Sequence, residues 1–79
     1  MTPGLYRLRG ADGTLLYIGA SRDPLGRFRQ HCWTRGEDIR QVATFDVEWF
    51  DSFDAARKAE VAAIKAENPL WNIAHKEAA

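Results

Sequence analysis

"GLYRLRGADGTLLYIG", residues 4–19, reads as two short strands joined by a turn. The strands are "LYRLR" (5–9) and "TLLYIG" (14–19), and Asp12 and Gly13 supply the turn chemistry between them. Each strand carries a tyrosine near a glycine, in the triplets "GLY" (4–6) and "YIG" (17–19). A two-residue turn at Asp12 and Gly13 sets Leu8 opposite Tyr17, whereas a four-residue loop from Gly10 to Gly13 sets Tyr6 opposite Tyr17. Side chains alternate with period two, so both registers place Tyr6, Leu8, Leu15 and Tyr17 on one face. Only a three-residue loop would separate the tyrosines.

The whole chain has 79 residues, which allows a single small core. No apolar run approaches the roughly 20 residues needed to cross a bilayer, and "MTPGLY" at the start lacks the regions of a signal peptide, so no membrane partner and a cytoplasmic location are expected. The single cysteine, Cys32, excludes an internal disulfide, and with only His31 and His75 beside it the spacing matches no zinc pattern. Net charge is zero but unevenly spread. Residues 1–40 hold seven Arg against four acids, and residues 41–79 hold four bases against seven acids. The first half is therefore the candidate anion-binding surface, and its bases are all arginine, which suits bidentate phosphate contacts. Arg7, Arg22, Arg27 and Arg29 are the candidates for contact with a nucleic-acid backbone.

Asp23 can cap a helix with Pro24 at its first position, and "PLGRFRQHCW" (24–33) continues it. Leu25, Phe28 and Cys32 form its apolar stripe, with Arg27 and His31 one turn apart on the flank beside it. After a loop through "RGEDIRQ" (35–41), "VATFDVEWF" (42–50) alternates as a third strand. A second helix begins near Ser52 and runs to about Glu67, and Pro69 ends it by excluding Asn68 from helical geometry. At about 100° per residue, Phe53, Ala56, Val61, Ala63 and Ile64 make the buried arc of this helix, and Glu60 falls near its middle. An unpaired buried carboxylate is costly, so Glu60 requires a partner: a metal ion, Arg57 or Arg27.

These residues together resemble the GIY-YIG nuclease superfamily. "GLY" and "YIG" match its two triplets, with Leu5 in place of isoleucine. "YIGASRDPLGRFRQH" (17–31) looks like the family's tyrosine, glycine and small hydroxyl residue, then an arginine eight residues past the glycine and a histidine four further on. "AEVAAIKAENPLWN" (59–72) is similar to its glutamate-bearing helix, followed by a proline and an asparagine. The match covers residues 4–74. It implies an α+β fold, a small three-stranded antiparallel sheet flanked by helices in the order β-β-α-β-α, with residues 1–79 forming one stand-alone catalytic domain.

The resemblance also implies a metal-dependent endonuclease that hydrolyses DNA, duplex or branched, to 5′-phosphate and 3′-hydroxyl ends. Tyr6 would be, or would position, the base for the attacking water, and Tyr17 would donate to the phosphate or tune its neighbour. Arg27 would neutralise charge on the nonbridging oxygens, and His31 would relay a proton or hold Tyr6. Glu60 would bind one divalent ion, Mg²⁺ or Mn²⁺, and Asn72 would fix the site from the C-terminal turn. Larger relatives join this module to domains that choose the substrate, so here specificity would come from a protein partner, a homodimer or DNA shape.

The same residues have plainer readings. Tyr6 and Tyr17 can be cross-strand packing, Arg27 and His31 a solvated flank, and Asn72 a partner for nearby backbone. His75 reads as tail, and Trp33, Trp49 and Trp71 as core or edge aromatics. A phenol of pKa about 10 acts as a base only where positive charge lowers that value. The competing function is a noncatalytic nucleic-acid-binding module or a subunit of a larger DNA-processing complex.

Overall fold

Asp12 and Gly13 do form the hairpin turn, but within a three-residue loop. The Gly10 N–H donates to the Thr14 carbonyl at 2.9 Å and the Gly13 N–H to the Gly10 carbonyl at 3.0 Å. Asp12 Oδ1 accepts from the Thr14 N–H, and Gly13 takes the positive φ of 87° that closes such loops. The computed structural model describes residues 2–34 and 36–72, so the reading of His75 falls outside the described residues. β1 (Gly4–Gly10) and β2 (Leu15–Ser21) flank this loop. They are followed by α1 (Pro24–Thr34), a 3₁₀ helix (Gly36–Gln41), β3 (Val42–Trp49) and α2 (Phe53–Glu67). The sheet is antiparallel with order β2-β1-β3, which is the expected β-β-α-β-α architecture with a short 3₁₀ helix inside the stretch read as loop.

A three-residue loop alone would have put the tyrosines on opposite faces. A β-bulge restores them: Leu8 pairs with Tyr17 and Arg9 with Leu15, which leaves Leu16 unopposed. Tyr6 consequently lies opposite Gly19, not Tyr17. The bulge also corrects the expected partition of the leucines. Leu16 packs with Tyr6 and Leu8, while Leu15 turns to the cluster of Leu5, Ile18 and Ile64 on the other side of the sheet. The core is thus split by the sheet, with Ile64 and Ala63 of α2 closing one half and Phe28 of α1, Phe45 and Trp71 closing the other.

The helix caps are those read from the sequence. Asp23 Oδ1 accepts from the Gly26 N–H at 3.2 Å, and Ser52 Oγ accepts from the Ala55 N–H at 3.1 Å. Asn68 ends α2 in the left-handed region, at φ 55°. The buried faces differ from expectation. In α1, Pro24 and His31 are buried, whereas Leu25 is 57% exposed and Cys32 lies on the surface. The stripe is rotated because the sheet presents a polar group, the Tyr6 hydroxyl, which draws in His31 and not Cys32. In α2 the buried residues are Ala56, Glu60 and Ile64, with Val61 exposed. Trp33 is 87% exposed and Trp49 also faces solvent, so neither belongs to the core.

β2 is an edge strand whose outward backbone groups are taken up by the rest of the chain. Leu15 and Leu16 carbonyls accept from the Leu70 and Trp71 N–H groups, at 3.2 and 2.7 Å. Asn72 Oδ1 accepts from the Ile18 N–H and its Nδ2 donates to the Ile18 carbonyl, both at 3.0 Å. The side-chain amide therefore does for Ile18 what a neighbouring strand would do. Asn72→Ala leaves both groups unpaired at a buried edge, and about 1–3 kcal/mol of stability should be lost. Asn72→Asp, which keeps an acceptor but loses the donor, should not recover it. Thermal unfolding of the two variants checks this, and a wild-type melting temperature for either would contradict the pairing.

Arg7 stands on the α2 side of the sheet, where Nε and Nη2 donate to the two Glu67 oxygens at 3.0 and 2.6 Å, with Glu48 3.7 Å away. The Arg7 hydrogen bonds hold the Glu67 carboxyl below its ordinary value. A depressed folded-state value means that the contribution is fully present above the ordinary glutamate range and is lost as pH falls through the folded value. Glu67→Gln should thus shallow the acid limb of a stability-versus-pH curve while costing no more than about 1 kcal/mol at neutral pH. An unchanged acid limb in urea unfolding would remove Glu67 from the account.

Candidate active site

Tyr6 reaches the site because Gly19 opposite has no side chain. A Cβ built at Gly19 would come within 2.5 Å of both Cζ and Oη of Tyr6 and 2.9 Å of Cε2 of Tyr17. The Tyr6 ring therefore crosses the space that any other residue at position 19 would fill. Its hydroxyl lies 2.9 Å from His31 Nε2, with both residues buried, at 1% and 6% exposure. The Tyr17 ring stands edge-on to the imidazole at 5.0 Å and tilted to Tyr6 at 6.0 Å, so three rings from β1, β2 and α1 share one face. Phe45 of β3 backs Tyr6 at 5.9 Å.

Burial pushes the Tyr6 phenol well above the ordinary tyrosine range, and the neighbouring Tyr17 and the Glu60 charge add to this. The Arg27 guanidinium acts in the opposite direction, by its charge and by a hydrogen bond to the phenol, without overcoming burial. Tyr6 is therefore protonated at neutral pH. Protonated, the phenol can donate to His31 Nε2 when that nitrogen carries no hydrogen. Arg27 itself is exposed, and Nη1 donates to Gln30 Oε1 at 2.5 Å.

Glu60 is 8% exposed and both oxygens are engaged: Oε2 accepts from the Ala20 N–H at 3.0 Å and Oε1 forms an ion pair with Arg57, 3.2 Å from its Nε. Of the partners expected for this carboxylate, the structure supplies Arg57, together with a backbone donor that no side-chain pattern announces. Each carboxylate oxygen retains a second lone pair, and the Arg57 side chain is 54% exposed and so readily exchanged. Among the described residues no group of three or more His, Cys, Asp and Glu converges. A single carboxylate fits a hard divalent cation that keeps most of its water shell and takes further oxygens from phosphate, as Mg²⁺ does.

The structure brings Tyr6, Tyr17, His31, Arg27 and Glu60 together around the end of β2. Asn72 lies outside that cluster and acts on it through the Ile18 backbone. Arg22 is nearby, its Cζ 4.4 Å from the centroid of Phe53, and Arg29 is exposed on α1. Arg7 is not brought to the site, because it lies on the other face with its guanidinium committed to Glu67 and Glu48. Sequence reasoning missed two features: the Arg22 contact with the Phe53 ring, and the platform role of Gly19. The latter had a signal in the glycine two residues past Tyr17 on the same face.

Gly19→Ala forces the Tyr6 ring to move, and a loss of about 1–3 kcal/mol is expected from overpacking. In an ultraviolet phenolate titration, Tyr6→Phe should remove a transition that wild type shows above the ordinary tyrosine range, and Gly19→Ala should shift it downward as the ring is displaced toward solvent. A wild-type titration curve in both variants would refute the buried pair.

Over residues 2–74 the chain matches the model of the GIY-YIG catalytic domain. It is similar to UvrABC system protein C from Geobacter metallireducens, at 30% identity over 79 residues that cover 91% of this chain and 13% of the relative. The same protein from Lactobacillus helveticus is 26% identical over 80 residues, covering 95% of this chain and 13% of the relative. That from Lactobacillus delbrueckii subsp. bulgaricus is 30% identical over 78 residues, covering 92% and 13%. The chain thus spans about an eighth of the length of these curated relatives.

Proposed function

The chain belongs to the GIY-YIG catalytic domain family, and we propose on that footing that it is a metal-dependent endonuclease hydrolysing DNA phosphodiesters to 5′-phosphate and 3′-hydroxyl ends. The observation that carries the reading is the buried 2.9 Å contact between Tyr6 Oη and His31 Nε2 in one cluster with Arg27 and Glu60. Phosphodiester hydrolysis requires deprotonation of a water, neutralisation of charge at phosphorus and help for the leaving oxygen. A phenol kept protonated by burial is a poor base alone. Coupled to His31 it becomes a relay: the water gives its proton to Tyr6 as Tyr6 gives its own to His31, so no free phenolate accumulates.

The water oxygen forms the new bond to phosphorus as the bond to the 3′ oxygen breaks, and that oxygen takes a proton from solvent. Arg27, exposed beside the phenol, meets the nonbridging oxygens, where charge grows in the transition state. Tyr17, edge-on to the imidazole, fixes the ring of His31 and offers its hydroxyl to the phosphate. Glu60 would hold the divalent ion, Mg²⁺ or Mn²⁺, which when bound supplies positive charge for the leaving oxygen. Asn72 keeps the β2 edge, and with it the Ala20 N–H, in place for Glu60.

Nicking of supercoiled plasmid at low salt, with Mg²⁺ or Mn²⁺ and with chelator, tests this directly. Wild type should nick only with metal, and Tyr6→Phe should slow nicking by about 10²–10⁴-fold, the range of general acid–base catalysis. Glu60→Gln, which keeps an acceptor for the Ala20 N–H, should abolish nicking while leaving the melting temperature near wild type. Wild type that binds DNA without ever nicking it, on plasmid or branched substrates, would replace the nuclease with a binding module.

A further inference from the structure

Phe53, the first residue of α2, is flanked by two guanidinium groups. Arg22 Cζ stands 4.4 Å from the ring centroid and Arg57 Cζ 5.9 Å from it. Two like charges gathered at one ring repel each other, and the ring quadrupole offsets only part of that. Arg22 has no carboxylate within ion-pairing reach among the described residues, and Arg57, whose side chain is 54% exposed, pairs with Glu60 through Nε at 3.2 Å. Arg57 touches the Glu60 carboxylate, which also accepts from the N–H of Ala20, two residues before Arg22. Lys58 lines the same open groove as Phe53, Arg57 and Val61, with Asp54 as its acidic member.

An anion bridging the two guanidinium groups completes this arrangement, since planar guanidinium forks match the tetrahedral oxygens of a phosphate. We propose that Arg22 and Arg57, organised by the Phe53 ring, form a second phosphate-binding site that holds a backbone phosphate next to the one that is cut. The proposal rests on the nuclease reading, and it assigns Arg57 and Phe53 to substrate binding. It also gives Arg57 two acceptors in turn. In the free protein its guanidinium neutralises Glu60; with substrate present the phosphate competes for it, and the carboxylate is left to a divalent ion. DNA and metal binding should then reinforce each other.

The test is fluorescence anisotropy of a labelled DNA duplex, titrated at several salt concentrations with chelator present. It is run in the Glu60→Gln background, so that no unpaired carboxylate is created and no strand is cut. Adding Arg22→Gln or Arg57→Gln to that background should weaken binding by about five- to tenfold at low salt. Each should also reduce the steepness of log K against log salt by about one. Adding Phe53→Leu, which retains apolar bulk without the ring, should weaken binding by about two- to threefold. Arg57→Lys should restore the salt slope but not the full affinity. Unchanged slopes in both arginine variants would overturn the site whatever their affinities, which covers a variant that merely folds poorly. The nuclease reading is decided separately by plasmid nicking: reduced slopes together with a wild type that never nicks would keep the phosphate site and remove the enzyme.

Discussion

The outer edge of β2 is the constraint on which the site depends. A strand with no neighbour presents a row of backbone donors and acceptors, and each left unpaired in a buried setting costs roughly what a hydrogen bond is worth. Here the row is closed without a fourth strand. Leu70 and Trp71 satisfy two carbonyls, the Asn72 amide satisfies Ile18 twice, and the Glu60 carboxylate takes the Ala20 N–H. The turn after α2 and the helix itself are thus fastened to the strand that carries Tyr17 and Gly19. The same closure fixes where Glu60 stands relative to the tyrosines, so the packing of the domain and the geometry of its chemistry are set by one group of bonds.

A second consequence concerns polarity inside a small core. The half of the core facing α1 is built around Tyr6, Leu8 and Leu16, and its centre is a phenol hydrogen-bonded to an imidazole. Burying those two groups is tolerable because each satisfies the other. The cost appears in the ionisation of Tyr6, which burial holds protonated despite the adjacent Arg27. The polar centre of this half-core is therefore a pair, in which neither member needs to ionise alone.

Much of this was legible in the sequence, for identifiable reasons. Helix boundaries are local, and Asp23, Pro24, Ser52 and Pro69 marked them within a residue or so. Spacing on one helix is local too, which is why Arg27 and His31 could be placed together. The mid-face position of Glu60 was visible because about 100° per residue leaves little freedom. What failed depended on contacts between elements. The apolar residues Leu25 and Cys32 suggested the wrong buried face for α1, because the deciding partner was a hydroxyl on another strand. The expected outcome of a three-residue loop, tyrosines on opposite faces, was undone by a bulge that no local signal announced. Arg7 looked like its neighbours in composition, and only the sheet alternation together with Glu67 on α2 removed it from the basic surface. The Ala20 N–H could not be anticipated at all, since a backbone donor has no letter in the sequence.

The bulge at Leu16 reaches beyond the hairpin in which it sits. By absorbing one residue between the loop and Tyr17, it returns the strand to the phase it would have had with a shorter connection. Loop and triplet are therefore uncoupled: the length of the connection is read at Leu15 and Leu16, and the second triplet beyond them keeps its own frame. A fold built this way has room to change its hairpin tip by insertion, deletion or grafted sequence, provided that the compensating slip stays within the same two residues. Diversity at that tip would then cost the chemistry nothing, which makes it the natural place for such a module to acquire new attachments.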